Sequence, residues 1–478
     1  MKRKLFIVGL VIISLLSIGV RFYHINWPIA DWHSWRQSDT AAVARNFLKF
    51  GIDPLHPRYD DLSNIQSGKD NPMGWRMVEF PLYQLIGVES FKLIPHVTIE
   101  EVLRGLSIVA TGASVLLFGF LLSEIVNPFA GILGAFIYAV LPFSIYYGRA
   151  ILPDPLATFC ALVSLTVLWK RGNSNWSWAW VIVAGIFGAI SLLVRPMEIF
   201  ILFPAAYLVF RNTTFLKGVA YGLIYCVIIA VPLLWWRHWI LQFPEGIPVS
   251  DWLYNNNGVR FKGAWFYWLF SQRLADLILG YWGLIPFGIG LVTKMKKGEA
   301  WFSLLWLAGA LAYLIIFAGG NVQHDYYQAL IIPVIVWFTA KGFYTFMRGV
   351  EGFNKFGSYA LAIVCFLFLW AFSWYTIRTY FWINRPEIVE AGKAADALIP
   401  KNAKVIAPYN GDTTFLYQIN RQGWPEGFDI AKKIAMGAGY YVTVSPTNND
   451  LETRDLANMY TVLVRNDKYA IIDLTRKK

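Results

Sequence analysis

The run Asp31-Trp32-His33-Ser34-Trp35-Arg36-Gln37-Ser38-Asp39-Thr40, continuing to Ala44-Arg45, gathers carboxylates, guanidiniums, an imidazole and indoles directly after an apolar segment. A carboxylate fixed in such a place can take a proton, and guanidiniums beside it can hold an anion. Ser38 or Asp39 suits a helix N-cap, and Val43, Phe47 and Phe50 recur at helical spacing, so Asp39 is expected at the mouth of an amphipathic helix. An interfacial helix with an aromatic belt and a capping carboxylate fits the same spacing. Further candidates come from distant segments. Arg149 and Asp154 lie in Arg149-Ala150-Ile151-Leu152-Pro153-Asp154-Pro155, which reads either as a chemical site or as a turn with a snorkelling Arg and a capping Asp. Arg195, in Val194-Arg195-Pro196, is an end-of-helix anchor or an anion site; Glu79, ahead of Phe80-Pro81-Leu82, is a surface charge or a buried carboxylate. His33 and His324 stand near carboxylates, but no HxxxH or HExxH spacing exists, so hydrogen bonding fits them better than metal ligation.

The elements that position these groups are membrane spans. The chain has 478 residues, 56% of them hydrophobic and 15% charged, too apolar for a soluble globular protein. Its net charge of +12 comes from short Lys/Arg clusters between apolar runs, which are topology signals rather than a nucleic-acid surface. Cys160, Cys226 and Cys365 each lie in an apolar run and give no disulfide framework. Lys2, Arg3 and Lys4 precede the first apolar run, a signal sequence or, more economically, a retained helix with a cytoplasmic N-terminus. Residues 21-100 then form an outer loop. Its last piece, 80-94, is short for a span and carries Glu89 and Lys92, so it is expected to lie along the membrane. With that choice Lys170-Arg171, Arg211 with Lys217, Lys294-Lys296-Lys297 and Arg348 with Lys355 all fall on the cytoplasmic side. About eleven transmembrane helices result, ending near 377, with the chemistry-bearing side chains on the outer face. Residues 1-377 thus form a membrane domain that includes the outer loop. Residues 378-478 read as a small extracytoplasmic α/β domain, with a helix at 387-398 and strands around 405-407, 440-444, 461-464 and 470-472.

The order of these features resembles a known family. A first span, an Asp-bearing outer loop ending in Ala44-Arg45, Glu79-Phe80-Pro81-Leu82-Tyr83, Arg104 in Leu103-Arg104-Gly105-Leu106-Ser107, and Arg149 to Pro155 look like the GT-C membrane glycosyltransferases. More narrowly the pattern is similar to the superfamily of protein O-mannosyltransferases and the lipid A aminoarabinose transferase. Arg36-Gln37 stands where that family often has an acidic pair, and Asp39 is the nearest acid. The resemblance implies a polyprenyl-phosphate sugar donor in the bilayer of the cell membrane and an extracytoplasmic acceptor, whether lipid, glycan or protein. It implies Asp39 and Asp154 as the catalytic carboxylates, and Arg149, Arg195 and Arg45 as contacts to the donor phosphate. Glu79, His33, Gln37, His324 and Tyr327 are assigned to the substrate. A lipid monophosphate leaving group does not require a divalent metal, so no cofactor is expected. The rival from another class is a polytopic transporter or lipid flippase, but no internal repeat is visible and the charges favour one face over the midplane.

Overall fold

The computed structural model describes residues 3–94, 96–171, 177–349, 354–444, 446 and 451–478; Lys2 of the first basic cluster lies outside them. The chain forms two compact units. The first comprises Met1–Ile25, Arg104–Arg237 and Ser250–Tyr380, the second Asn26–Leu103, His238–Val249 and Phe381–Lys478. The outer loop, Asn26–Leu103, therefore belongs to the same unit as the C-terminal residues.

The first unit is helical. Among the described residues seven helices are long and apolar enough to cross a membrane, from Arg3–Arg21 to the one that begins at Lys355. Pro128–Val140 and Pro196–Phe210 are apolar but shorter. Several expected segments are helical without being continuous. Pro142 lacks an N–H and holds Leu141 extended (ψ 119°), which separates helix Pro128–Val140 from Pro142–Tyr147. Pro196 does the same to Arg195 (φ −148°, ψ 94°), so the chain restarts there as a short 3-10 turn. Further on, the apolar run is divided between a wide helix, Tyr267–Ile278, and helix Leu284–Val292. Helix Leu284–Val292 meets helix Ile332–Arg348 at Gly290 and Gly342. A Cβ at Gly290 would stand 1.8 Å from the Phe338 carbonyl oxygen, and one at Gly342 1.7 Å from that of Pro286. Without a hydrophobic drive between helices in lipid, such backbone contact is a main source of packing energy.

In the second unit five strands run β1 Lys404–Ile406, β2 Gly423–Trp424, β3 Ala438–Val444, β4 Tyr460–Arg465 and β5 Tyr469–Lys477, in spatial order β2-β1-β3-β5-β4. β1 is parallel to β2 and β3, whereas β5 is antiparallel to β3 and β4. Helix Pro386–Leu398 covers one face through Ile388, Ala391 and Ala395, with Val405, Val442 and Ile471 beneath. On the other face Ile406, Tyr441 and Ile472 pack with Leu456 and with Leu62 of the outer loop. That loop also joins the sheet edge: Asp61 bridges Gly423, with Leu62 N donating to Gly423 O at 2.8 Å and Gly423 N to Asp60 O at 2.9 Å. Residues 80-94 give helix Leu82–Leu93, at 12 residues too short to span a bilayer.

Candidate functional site

Asp39 belongs to the second unit. The helix begins at Ser34, not at Ser38 or Asp39, because His33 takes a left-handed conformation (φ 52°, ψ 35°) at the N-cap position. Asp39 therefore sits in the second turn, not at the mouth, and is 1% exposed. Its Oδ2 lies 3.1 Å from Arg76 Nη2, and its Oδ1 accepts the Thr413 hydroxyl at 2.7 Å. One turn earlier Arg36 faces Glu79 at 2.5 Å, so Glu79 is a buried partner and not a surface charge. Arg36, Asp39, Thr40, Arg76, Glu79 and Gln84 share one small cleft. Both pairs are held by the helix on one side and by residues 76-79 on the other.

Two assigned residues in this unit have protein partners of their own. Arg45 pairs with Asp60 Oδ2 at 2.6 Å, donates to Tyr417 O at 2.9 Å and lies 3.7 Å over the Tyr417 ring. Its guanidinium ties the helix to the region of the sheet. Gln37 Nε2 donates to Asp31 Oδ1 at 2.8 Å and to Trp32 O at 3.2 Å, bracing the entry to its helix. His33, half-buried, turns its ring toward Trp32. Near this cleft Asp61 is fully buried, accepts Ser63 N at 2.8 Å, and burial pushes its carboxyl up to about 7.

In the first unit Asp154 opens helix Asp154–Arg171, and Arg195 stands in the extended break before Pro196. Arg195 Nε lies 3.1 Å from Asp154 Oδ1, both side chains being buried. The same guanidinium faces the rings of Tyr327 at 5.2 Å and Tyr326 at 5.9 Å. Its buried Nη2 has no hydrogen-bond partner among the described residues, an uncommon condition for a charged donor. Tyr313 donates to Tyr327 O at 3.0 Å, and Thr158 donates to Glu198 Oε1 at 2.9 Å. Three of the sequence candidates, Asp154, Arg195 and Tyr327, are thus brought together. His324 stacks on Tyr326, ring centroids 5.5 Å apart, and meets the edge of Trp252. Arg149 donates to His24 O at 3.0 Å and lies over the Tyr146 ring.

The sequence reading missed several partners. Arg76 and Thr413 carry no distinctive local pattern. Glu198 does, as an ionisable side chain within an apolar run. Asp325, buried, accepts the hydroxyls of Tyr147 at 2.5 Å and of Tyr380, with Arg273 Nη1 at 3.8 Å.

Residues 73–258 match the family model described as dolichyl-phosphate-mannose-protein mannosyltransferase. No curated protein matches the sequence. Among solved structures, ArnT from Cupriavidus metallidurans bound to undecaprenyl phosphate is matched with a TM-score of 0.65, at 11% identity over 97% of each chain. AglB from Archaeoglobus fulgidus, an oligosaccharyltransferase in complex with an inhibitory peptide and a dolichol-phosphate, gives 0.58 at 11% identity over 93% of this chain and 70% of the other. The arabinofuranosyltransferase AftD from Mycobacteria gives 0.60 at 12% identity over 99% of this chain and 40% of the other. Identities at this level speak for the fold, a multi-pass helical membrane unit with a small sheet unit. Residues 73–258 are thus similar to the protein mannosyltransferase family, and the chain shares its fold with ArnT, AglB and AftD.

Proposed function

We propose that this chain is a glycosyltransferase that moves a sugar from a polyprenyl-phosphate donor to an acceptor outside the cytoplasm. The observation that carries the reading is Asp39: within a GT-C fold, a carboxylate 1% exposed is held by a guanidinium and a hydroxyl beside a cleft. Asp39 takes the proton of the acceptor hydroxyl, whose oxygen bonds to the anomeric carbon. The bond from that carbon to the phosphate oxygen breaks, and its electron pair leaves with the lipid phosphate. On the resemblance to the family, Arg195 and Arg149 are assigned to the lipid phosphate, whose departing charge guanidiniums stabilise. Asp154 holds Arg195 in place, and Glu79 with Arg36 orients the acceptor at the cleft of Asp39. His324 and Tyr327 flank the donor end, and His33 and Gln37 shape the entry to the Asp39 helix. The chemistry needs no metal. The Lys/Arg asymmetry supports a cytoplasmic N-terminus and an extracytoplasmic C-terminal region.

ArnT is recorded with undecaprenyl phosphate and AglB with a dolichol-phosphate, which supports a polyprenyl-phosphate carrier here. The test is mass spectrometry of lipids copurifying with the full chain, followed by a transfer assay with a radiolabelled undecaprenyl-phosphate sugar in proteoliposomes. Label moving onto an acceptor is the expected result. Label crossing the vesicle membrane without transfer overturns the reading in favour of a transporter.

A further inference from the structure

The first unit holds a second polar centre, at the other end of its helices from Asp154. Helix Ile99–Ile125 ends just before Asn127, and the following segment, through Pro128–Val140 and Pro142–Tyr147, runs across the unit to the turn that leads into Asp154. Around Asn127, a cavity of about 450 Å³ is lined by Thr293, Lys294, Lys296, Glu299, Lys341, Tyr344, Thr345 and Arg348. That volume lies in the range of small-ligand pockets.

Its charge is one-sided. Four cations face one carboxylate, and that carboxylate is already engaged: Glu299 Oε1 lies 2.6 Å from Lys341 Nζ, and its Oε2 accepts Lys296 N at 3.3 Å. Among the described residues Lys294, Lys296 and Arg348 form no ion pair with a side-chain carboxylate. Exposed flanking lysines would be explained by topology alone. Lys341 would not, since it is 2% exposed within helix Ile332–Arg348. A buried Lys–Glu pair costs desolvation unless its geometry is used. Here it holds the wall of the cavity together, joining helix Ile332–Arg348 to helix Lys297–Ile316. Thr293 and Thr345, with hydroxyls 3.2 Å apart, add a second polar tie. The hydroxyl-bearing Tyr344 and the guanidinium of Arg348, 5.7 Å over its ring, complete a lining suited to phosphate oxygens.

We propose that this cavity binds a phosphate group, and that its source is the headgroup of an anionic phospholipid. It opens among the ends of apolar helices, where basic pockets and lipid phosphates meet. The proposal does not depend on the sugar-transfer reading and is tested without a transfer assay. The full chain in neutral detergent is titrated with short-chain phosphatidylglycerol, short-chain phosphatidylcholine and inorganic pyrophosphate, with bound species counted by native mass spectrometry. The variants are Lys294→Gln, Lys296→Gln and Arg348→Gln, singly and together. All three residues are exposed, so the fold survives their loss.

Phosphatidylglycerol is expected to bind saturably and more tightly than phosphatidylcholine. Its affinity should fall roughly fivefold with each substitution and on the order of a hundredfold with all three. Added salt should weaken it in the parent and much less in the triple variant. Pyrophosphate binding as tightly, with the same losses, keeps the phosphate site and overturns the lipid source. Equal retention of phosphatidylglycerol by parent and triple variant, or no preference over phosphatidylcholine, overturns the site itself.

Discussion

Asp39 and Asp154 are both buried carboxylates 3.1 Å from an arginine nitrogen, yet they stand in opposite surroundings. Asp39 shares its cleft with a second ion pair, Arg36–Glu79, and accepts a threonine hydroxyl. Asp154 pairs with an arginine enclosed by tyrosine rings, in a unit built of apolar helices. Charges compensated in a polar cleft can be altered with modest consequences for folding. Where the surroundings are aromatic and water is scarce, removing one member of a pair leaves the other stranded. Under the proposed function, this contrast gives Asp39 the proton transfer and gives Asp154, through Arg195, a positioning part that the following variants test.

The largest expected effect tests the first half. Asp39→Asn keeps the acceptor for Thr413 but removes the proton acceptor, so transfer should fall by about 10²–10⁴-fold, the usual worth of a general base. Thermal unfolding of the purified variant checks the fold, and donor retention by copurification should persist. If Asp154→Asn abolishes turnover in a folded protein while Asp39→Asn stays within a few-fold of the parent, the roles are reversed.

The second half is tested by stability. Asp154→Ala should destabilise the first unit by about 3–5 kcal/mol, because the Arg195 charge remains buried. The pair Asp154→Ala with Arg195→Leu should recover much of that loss, measured by thermal unfolding in detergent. A double variant no better than the single would mean the pair is not the source of the cost.

These two centres were not equally legible in the sequence. Asp154 and Arg195 stood out because each interrupts apolar runs next to a proline, and the proline breaks then placed them at helix ends. Glu198 offered the same signal in the same segment. Asp39 could be read as a candidate but its partners could not. Thr413 is 374 residues away, and Arg76 sits in a loop already rich in polar residues. The N-cap expectation failed at His33, whose left-handed backbone no propensity argument singles out. The β3 and β5 cores were legible from their apolar runs. β2, only two residues long, exists through pairing with β1 and with the outer loop, so nothing local marks it.

A smaller effect separates polar from apolar surroundings within the second unit itself. Burial raises the Asp61 carboxyl to about 7, above its ordinary value of 3.8. Between these values the folded chain binds a proton that the unfolded chain does not. Stability from this group therefore falls as pH rises from about 4 to about 7 and is flat above, with an upper limit on the order of 4 kcal/mol. Asp61→Asn keeps an acceptor for Ser63 N and should flatten that part of the curve of Tm against pH. An unchanged slope would show that other groups carry the dependence.

The smallest effect concerns Thr413, which touches Asp39 and is assigned a positioning role. Its hydroxyl donates to Asp39 Oδ1 at 2.7 Å, while Arg76 holds the other oxygen. Hydrogen bonds to a charged group contribute about 1.5–3 kcal/mol, so Thr413→Val should lower kcat by roughly tenfold to a hundredfold if the bond serves chemistry. KM for the acceptor should change little, since the hydroxyl orients the base and does not bind the substrate. Thr413→Ser restores the donor and should recover most of the rate, whereas a methyl group serving only packing would be missed in Ser and kept in Val. Valine at full rate with serine impaired would make Thr413 a packing residue, and Arg76 would then be what fixes the Asp39 carboxylate.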